Sequence, residues 1–360
     1  MSSFWNPDLK NLSPYIPGEQ PKHEKLVKLN TNESPYGPSP KALNAIVEAT
    51  NDALRLYPDP DARELKKTIA RCYGLSPQQV FVGNGSDEVL AHLFLGLLKQ
   101  SKPLLFPDIT YSFYPVYCQL YGIQYQPIAL DDQFTIRLSD YIQKTKGLGG
   151  NGGVIFPNPN APTGRALPRS EIESFINANQ ASVVVVDEAY VDYGTESCVP
   201  LIQKNIPNLL VTHTLSKSRA LAGLRVGYAL GHPDLITGLE RVKNSFNSYP
   251  LGKLAQVGAI AAIDDQNHLN NITQKVIATR EAFVTELAKL GFETIPSSAN
   301  FVFTCHPKHT GESLHQALRS RGIIVRHFKA NRIDAYLRIT IGTNEQMNTL
   351  VSALQEILKS

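Results

Sequence analysis

Cysteine is scarce in this chain of 360 residues: Cys72, Cys118, Cys198 and Cys305 stand far apart, with no C-x-x-C pair. That spacing argues against a disulfide framework or a metal site and favours four reduced thiols. Charge imbalance is also small, at +3 net, and no basic block or aromatic–basic stripe occurs. Nucleic acid is therefore not an expected partner. No apolar run reaches the ~20 residues that a membrane span requires. Val89–Leu98 comes nearest, but it is short and contains His92. The opening MSSFWNPDLKNLSPYIPGEQ has neither a basic start nor a continuous apolar stretch, so no secretory signal is expected. What is there is ordinary globular composition, 42% hydrophobic and 19% charged. It is ample for a large core and two domains, and a cytoplasmic setting is the expectation.

The segment before Pro40 is rich in Pro, Asn and Lys and reads as an extended arm. Helical spacing follows from Pro40 to about Ala53, and again over Asp61–Tyr73 after the break at Tyr57-Pro58-Asp59-Pro60. Short apolar runs then recur at Val80–Val82, Leu104–Phe106, Gln124–Ile128, Gly153–Phe156, Val183–Val186, Leu209–Thr212 and Val226–Ala229. Helical stretches such as Ser86–Lys99 and Ser170–Asn179 separate several of them, so the pattern predicts an α/β domain with a mostly parallel seven-stranded sheet. The last two strands are joined by a loop. The glycine-rich 147–153 reads as a connection, because it precedes its strand. A long helix is expected over Leu254–Leu290, followed by a smaller α+β unit. Its strands are expected near Asn300–Thr304, Ile323–Arg326 and Leu337–Ile341. The division expected is an arm at 1–39, a large domain at 40–253 and a small domain at 254–360 that begins with the long helix.

Ligands of such sheets bind beyond the carboxyl ends of the strands. Asp187 ends the valine run, and Ser216-Lys217 lies just past the next strand, with Arg225 eight positions on. A carboxylate ending a buried strand is costly unless it meets a cation. A lysine, a strand-end aspartate and a phosphate-seeking arginine are what pyridoxal phosphate requires: an amine for a Schiff base, an anion for its ring nitrogen and donors for its phosphate. Gly83-Asn84-Gly85-Ser86-Asp87-Glu88 follows a strand and opens a helix, with Ser86 fitting the N-cap. Such a turn offers free N–H groups to an anion. Locally, a plain capped helix reads the same. Tyr111 could stack on an aromatic ring or be a core residue. Tyr190 is a hydroxyl donor or a packing residue. Arg326 and Arg338 interrupt apolar strands; they suggest either an anionic substrate held by guanidinium forks or edge salt bridges.

Taken together, these residues resemble the fold-type-I pyridoxal-phosphate enzymes of the aspartate aminotransferase superfamily, and within them the histidinol-phosphate aminotransferases. The resemblance runs through Ser13-Pro14-Tyr15, Leu29–Pro35, Tyr57-Pro58-Asp59, Gly85–Glu88, Asn158–Gly164, Asp187–Tyr190, Thr214–Lys217, Ala222–Arg225 and Leu337–Gly342. It implies that Lys217 carries the cofactor and shuttles a proton. Asp187 then pairs with the ring nitrogen and Tyr190 with the phenolate oxygen. Ser216, Arg225 and the Gly85, Ser86 and Asp87 backbone hold the phosphate. Tyr111 stacks on the ring, and Tyr57 crosses a homodimer interface to the partner's cofactor. Tyr15, Asn32, Arg326 and Arg338 contact substrate. The implied reaction is transamination between L-histidinol phosphate and 2-oxoglutarate.

One stretch departs from the family's Asn-Asn-Pro-Thr-Gly: here Ala161 stands where the second Asn bonds the phenolate oxygen. Asn160 is a candidate to supply that contact instead. An aromatic-amino-acid aminotransferase and a threonine-phosphate decarboxylase remain the alternatives. A transcriptional regulator built on the same fold would need a DNA-binding domain, for which the arm before Pro40 leaves no room. No metal is expected.

Overall fold

The computed structural model describes residues 4–6, 9, 12–16, 18–19 and 26–359. The rest of the expected arm, at 1–3, 7–8, 10–11, 17 and 20–25, lies outside the described residues. The arm contributes a short strand, β1 (Val27–Lys28). The next seven strands are β2 (Val80–Asn84), β3 (Leu104–Pro107), β4 (Tyr125–Ile128), β5 (Val154–Pro157), β6 (Val184–Asp187), β7 (Leu209–Thr214) and β8 (Val226–Gly231). They form one sheet in the order β2-β8-β7-β6-β5-β3-β4.

The core strands read as continuous apolar runs because both faces of the sheet are covered. Val184 and Val186 face one hydrophobic cluster with Phe156, Leu209 and Val211, while Val185 faces the other with Ile155, Leu210 and Phe106. Strands β3 to β7 pair in parallel. A parallel return needs a long crossover, usually a helix. Between β7 and β8 there is only a loop with one short 3-10 turn at Ala222–Leu224, so β8 runs antiparallel to both neighbours. That reversal has a consequence for the site. The start of β8, and Arg225 just before it, lies at the same sheet edge as the ends of β2 and β7: Asn84 pairs with Val226 and Thr214 with Gly227.

The smaller sheet contains β9 (Glu293–Ile295), β10 (Phe301–Cys305), β12 (Arg326–His327) and β13 (Leu337–Thr340), antiparallel in the order β12-β13-β10-β9. Beside it β1 pairs in parallel with β11 (Ile323–Ile324). Three expectations need correction. The long helix is two helices, Lys253–Asp264 and Gln266–Lys289. They break at Asp265, whose carboxylate accepts from the His268 N–H and from Ser39 Oγ, the latter at 2.6 Å. The first of the pair buries Ala259, Ala262 and Ile263 in the large sheet's core, and the second buries Val276, Phe283 and Leu287 in the small sheet's. The first helix, starting at Lys253, thus packs on the large sheet. The expected Ser86–Lys99 helix is α-helical over Gly85–Leu93 and widens to a π turn over Phe94–Leu98. Its N-cap is Asn84, not Ser86; Glu88 reaches back to accept the Asn84 N–H.

Candidate active site

Lys217 stands between two adjoining cavities and lines both, together with Thr31, Tyr111, Ala161 and Tyr190. Its Nζ donates to the Thr31 carbonyl at 3.1 Å and lies 5.9 Å from the Tyr190 ring centre. Through Thr31 the arm thus reaches the lysine of the large domain.

The first cavity lies over the carboxyl edge of the large sheet and is bordered by Ser86, Asp87, Asp187, Thr214, Ser216 and Arg225. Asp187 ends β6 and is buried, 5% exposed. Burial pushes its carboxyl group upward, against hydrogen bonds from Tyr114 and the Ala189 N–H and the field of His213. The Tyr114 hydroxyl donates at 3.0 Å from the first turn of the helix Tyr114–Tyr121. A carboxylate raised by burial, with donors but no cation bonded to it among the described residues, could hold a basic ring nitrogen.

Across the cavity, Arg225 Nη2 donates to Asp87 Oδ2 at 2.9 Å, and Tyr111 donates to the other oxygen at 3.0 Å. Two glycines permit this packing. A Cβ on Gly85, which has φ +79°, would come within 2.3 Å of the Arg225 guanidinium. A Cβ on Gly227 would come within 2.4 Å of the Ser86 nitrogen. The helix start at Gly85 is therefore pressed onto β8, with its free N–H groups beside Arg225. Such an arrangement could hold a phosphate. Ser216 lies beside it, its Oγ accepting from Thr214 Oγ1 at 3.0 Å.

The second cavity faces the small sheet. Arg326 and Arg338 lie directly opposite one another, paired across β12 and β13. Like charges so placed repel. Burial holds the Arg338 guanidinium below its ordinary range, and Arg326 adds to that. Its Nη2 donates to the Asn30 carbonyl at 2.9 Å, while its buried Nε has no partner among the described residues. Both guanidinia sit 5.5 Å from the Phe328 ring, and both side chains line the cavity with Tyr15, Asn32 and Tyr111. Tyr15 stacks on Phe113 at 4.7 Å. Asn32, held in the left-handed region at φ +57°, donates to the Tyr190 hydroxyl at 2.9 Å.

Of the residues expected from sequence, two are not drawn in. Asn160 is fully buried and lines neither cavity. Its amide donates to the Ile109 carbonyl and to Thr163, and its oxygen accepts from Thr110. These bonds hold its own turn and leave nothing for a phenolate contact; Ala161 is the residue that faces both cavities. Tyr57 is 83% exposed and stacks on Tyr249 at 4.8 Å, away from this chain's cavities. Tyr114, Gly227, Phe328 and Glu33 belong to the site or its walls, and none had been given a role from the sequence. A glycine inside β8 was the one local signal, since mid-strand glycines mark close backbone approach.

Residues 24–354 match the family model described as aminotransferase class I and II. The histidinol-phosphate aminotransferase 1 of Pseudomonas fluorescens is 59% identical over 357 residues, covering 99% of this chain and 100% of that protein. That of Pseudomonas aeruginosa is 60% identical over 354 residues, covering 98% of this chain and 99% of that protein. The crystal structure of histidinol-phosphate aminotransferase from Sinorhizobium meliloti, in complex with pyridoxal-5'-phosphate, superposes with a TM-score of 0.89 at 26% identity, covering 100% of this chain and 98% of that one.

Proposed function

The chain belongs to the class I and II aminotransferase family, and on that premise we propose that it is a pyridoxal-phosphate-dependent histidinol-phosphate aminotransferase. It transfers the amino group of L-histidinol phosphate to 2-oxoglutarate, giving imidazole-acetol phosphate and L-glutamate, a step of histidine biosynthesis. The observation that carries this reading is the seat of Lys217 between a cavity with a buried aspartate and a phosphate cradle and a cavity walled by two opposed arginines.

Bound pyridoxal phosphate supplies an aldehyde that takes up amino groups and a ring that draws off electrons. The chain's own residues do the rest. Lys217 Nζ offers the amine and moves the proton at the substrate's α-carbon. Asp187 holds a proton on the pyridine nitrogen by its negative charge, and Tyr114 orients that carboxylate. The N–H groups of Gly85, Ser86 and Asp87 grip the phosphate together with Ser216 and Arg225. Tyr111 would pack against the ring, and Tyr190, steadied by Asn32, would donate to its phenolate oxygen. Arg326 and Arg338 bind the phosphate of one donor and the distal carboxylate of the other, while Tyr15 bounds the space for the side chain. Their mutual repulsion makes a dianionic group a favourable partner.

The chain forms a homodimer in which Tyr57 reaches the partner's site. Leu54, Leu56, Tyr57, Phe246 and Tyr249 are exposed large hydrophobic residues close to that loop and support this reading. The arm joins the small domain through β1, and the two domains part at Asp265 rather than at 253/254. Among the described residues no helix is long and apolar enough to cross a membrane, and the small, charged substrates fit a cytoplasmic setting for the enzyme.

Steady-state rates with L-histidinol phosphate, L-phenylalanine and L-tyrosine as donors test the assignment. Histidinol phosphate should give the highest kcat/KM, with glutamate formed in equal amount from 2-oxoglutarate. Preference for an aromatic donor would move the enzyme to the aromatic aminotransferases. Carbon dioxide release from threonine phosphate would make it a decarboxylase.

A further inference from the structure

Glu33 borders the same cavity as Lys217 and Asp187, yet the roles above leave its carboxylate unused. It is tied to the lysine through one residue. The Thr31 carbonyl accepts from Lys217 Nζ at 3.1 Å, and the Thr31 hydroxyl donates to Glu33 Oε2. Lys28 Nζ closes the cluster, donating to Thr31 Oγ1 at 2.5 Å and pairing with Glu33. Burial works against the Glu33 charge, but hydrogen bonds from Lys28 and Thr31 and the fields of Lys28 and Lys217 outweigh it, so the group stays below the usual carboxylate range.

The other charged and titratable groups facing Lys217 are differently engaged. Asp187 is bonded to Tyr114 and the Ala189 N–H, and Asp87 to Arg225 and Tyr111. Tyr190 bonds Asn32, and Tyr15, Arg326 and Arg338 lie around the substrate cavity. Asp187 faces the ring nitrogen under the reading above. Glu33, although paired with Lys28, is the carboxylate bonded to the residue whose carbonyl holds the lysine nitrogen.

We propose that Glu33 is a positioning residue that holds the proton on the Lys217 nitrogen, with Thr31 as its tether and Lys28 as the opposing charge that limits it. The proposal rests on Lys217 being the cofactor-bearing amine. A carboxylate near that nitrogen favours its protonated form, and a nearby ammonium disfavours it.

The test uses the cofactor-loaded enzyme without substrate. The visible absorbance of bound pyridoxal phosphate is titrated with pH, which reads the proton on the nitrogen that joins it to Lys217. Glu33→Gln should move the midpoint down by about one pH unit. Glu33→Asp should return most of that shift, and Lys28→Met should move the midpoint upward. A purely structural role would not give shifts of opposite sign from the two partners. In the cofactor-free enzyme, Lys217 of Glu33→Gln should react faster with an amine-acylating reagent, read by mass spectrometry of the Lys217 peptide. An unmoved midpoint in Glu33→Gln, or shifts of the same sign in Glu33→Gln and Lys28→Met, would overturn the proposal. A visible band that survives Lys217→Ala unchanged would sink the functional reading and this one with it. An intact link with an unmoved midpoint sinks only this one.

Discussion

The two cavities that meet at Lys217 are built on opposite principles. On the large-sheet side, the charged groups already have partners: Arg225 with Asp87, Asp87 with Tyr111, and Asp187 with Tyr114 and the Ala189 N–H. On the small-sheet side, two guanidinia oppose one another across a strand pair, and one buried Nε has no partner among the described residues. A resident group that stays through every turnover is best met by rigid, satisfied walls. A substrate that comes and goes is better met by groups whose repulsion its own charge relieves. The difference predicts where a substitution costs turnover and where it costs affinity.

The largest effect should come from the satisfied side. Asp187→Ala removes the charge proposed to keep the ring nitrogen protonated, an electrostatic contribution of the size usually lost as about 10²–10³-fold in kcat. Cofactor affinity, read by dialysis against free pyridoxal phosphate, should fall with it. Turnover within a few-fold of wild type would break the contrast, because the large-sheet cavity would then be a mere container.

The substrate side should respond in affinity. Arg338 is the more enclosed guanidinium and bonds the arm at Asn30. Removing one partner of a desolvated charge pair costs about 2–5 kcal/mol, so Arg338→Ala should raise KM by about 30-fold or more. Both histidinol phosphate and glutamate should be affected. Arg326→Ala should act in the same direction with a smaller change. It should also leave the unfolding temperature of the substrate-free protein unchanged or raised, because it removes a like charge facing Arg338. A loss confined to one of the two donors would show that the arginines do not form a shared anion site.

Much of the satisfied side was legible in sequence, and little of the other. Asp187 ends an unbroken valine run, and Lys217 stands just past the strand that opens Leu209-Leu210-Val211, so their place at the sheet edge follows from the local sequence. The loop between β7 and β8 foreshadowed the reversal that brings Arg225 to the same edge. Arg326 and Arg338 were visible as arginines in apolar strands, but their face-to-face register depends on strand pairing, which spacing does not encode. The break at Asp265 was hidden because helical periodicity runs straight through it; the Ser39 contact comes from 226 residues away. Asn160 misled for the same reason, since its amide is bound by Ile109, 51 positions earlier.

Tyr114 gives the smallest and sharpest probe. Among Tyr111, Phe113 and Tyr114, which ring meets the aspartate depends on how the helix enters at Tyr114, and the chain turns Tyr114 inward, fully buried. Its hydroxyl opposes the upward push of burial on Asp187. Tyr114→Phe keeps the ring and removes that bond, so the carboxyl group should take up a proton at higher pH than before. In its proposed role the carboxylate is the working form, and it is lost as pH falls through its pKa. The acidic limb of the kcat/KM profile should therefore move to higher pH, by about one unit for a hydrogen bond to a charged acceptor. The rate on the alkaline side of that limb should change only a few-fold, because Asp187 remains ionised there. If the limb stays fixed while the plateau collapses, Tyr114 serves packing, and the satisfied character of the large-sheet cavity is not what keeps its aspartate charged.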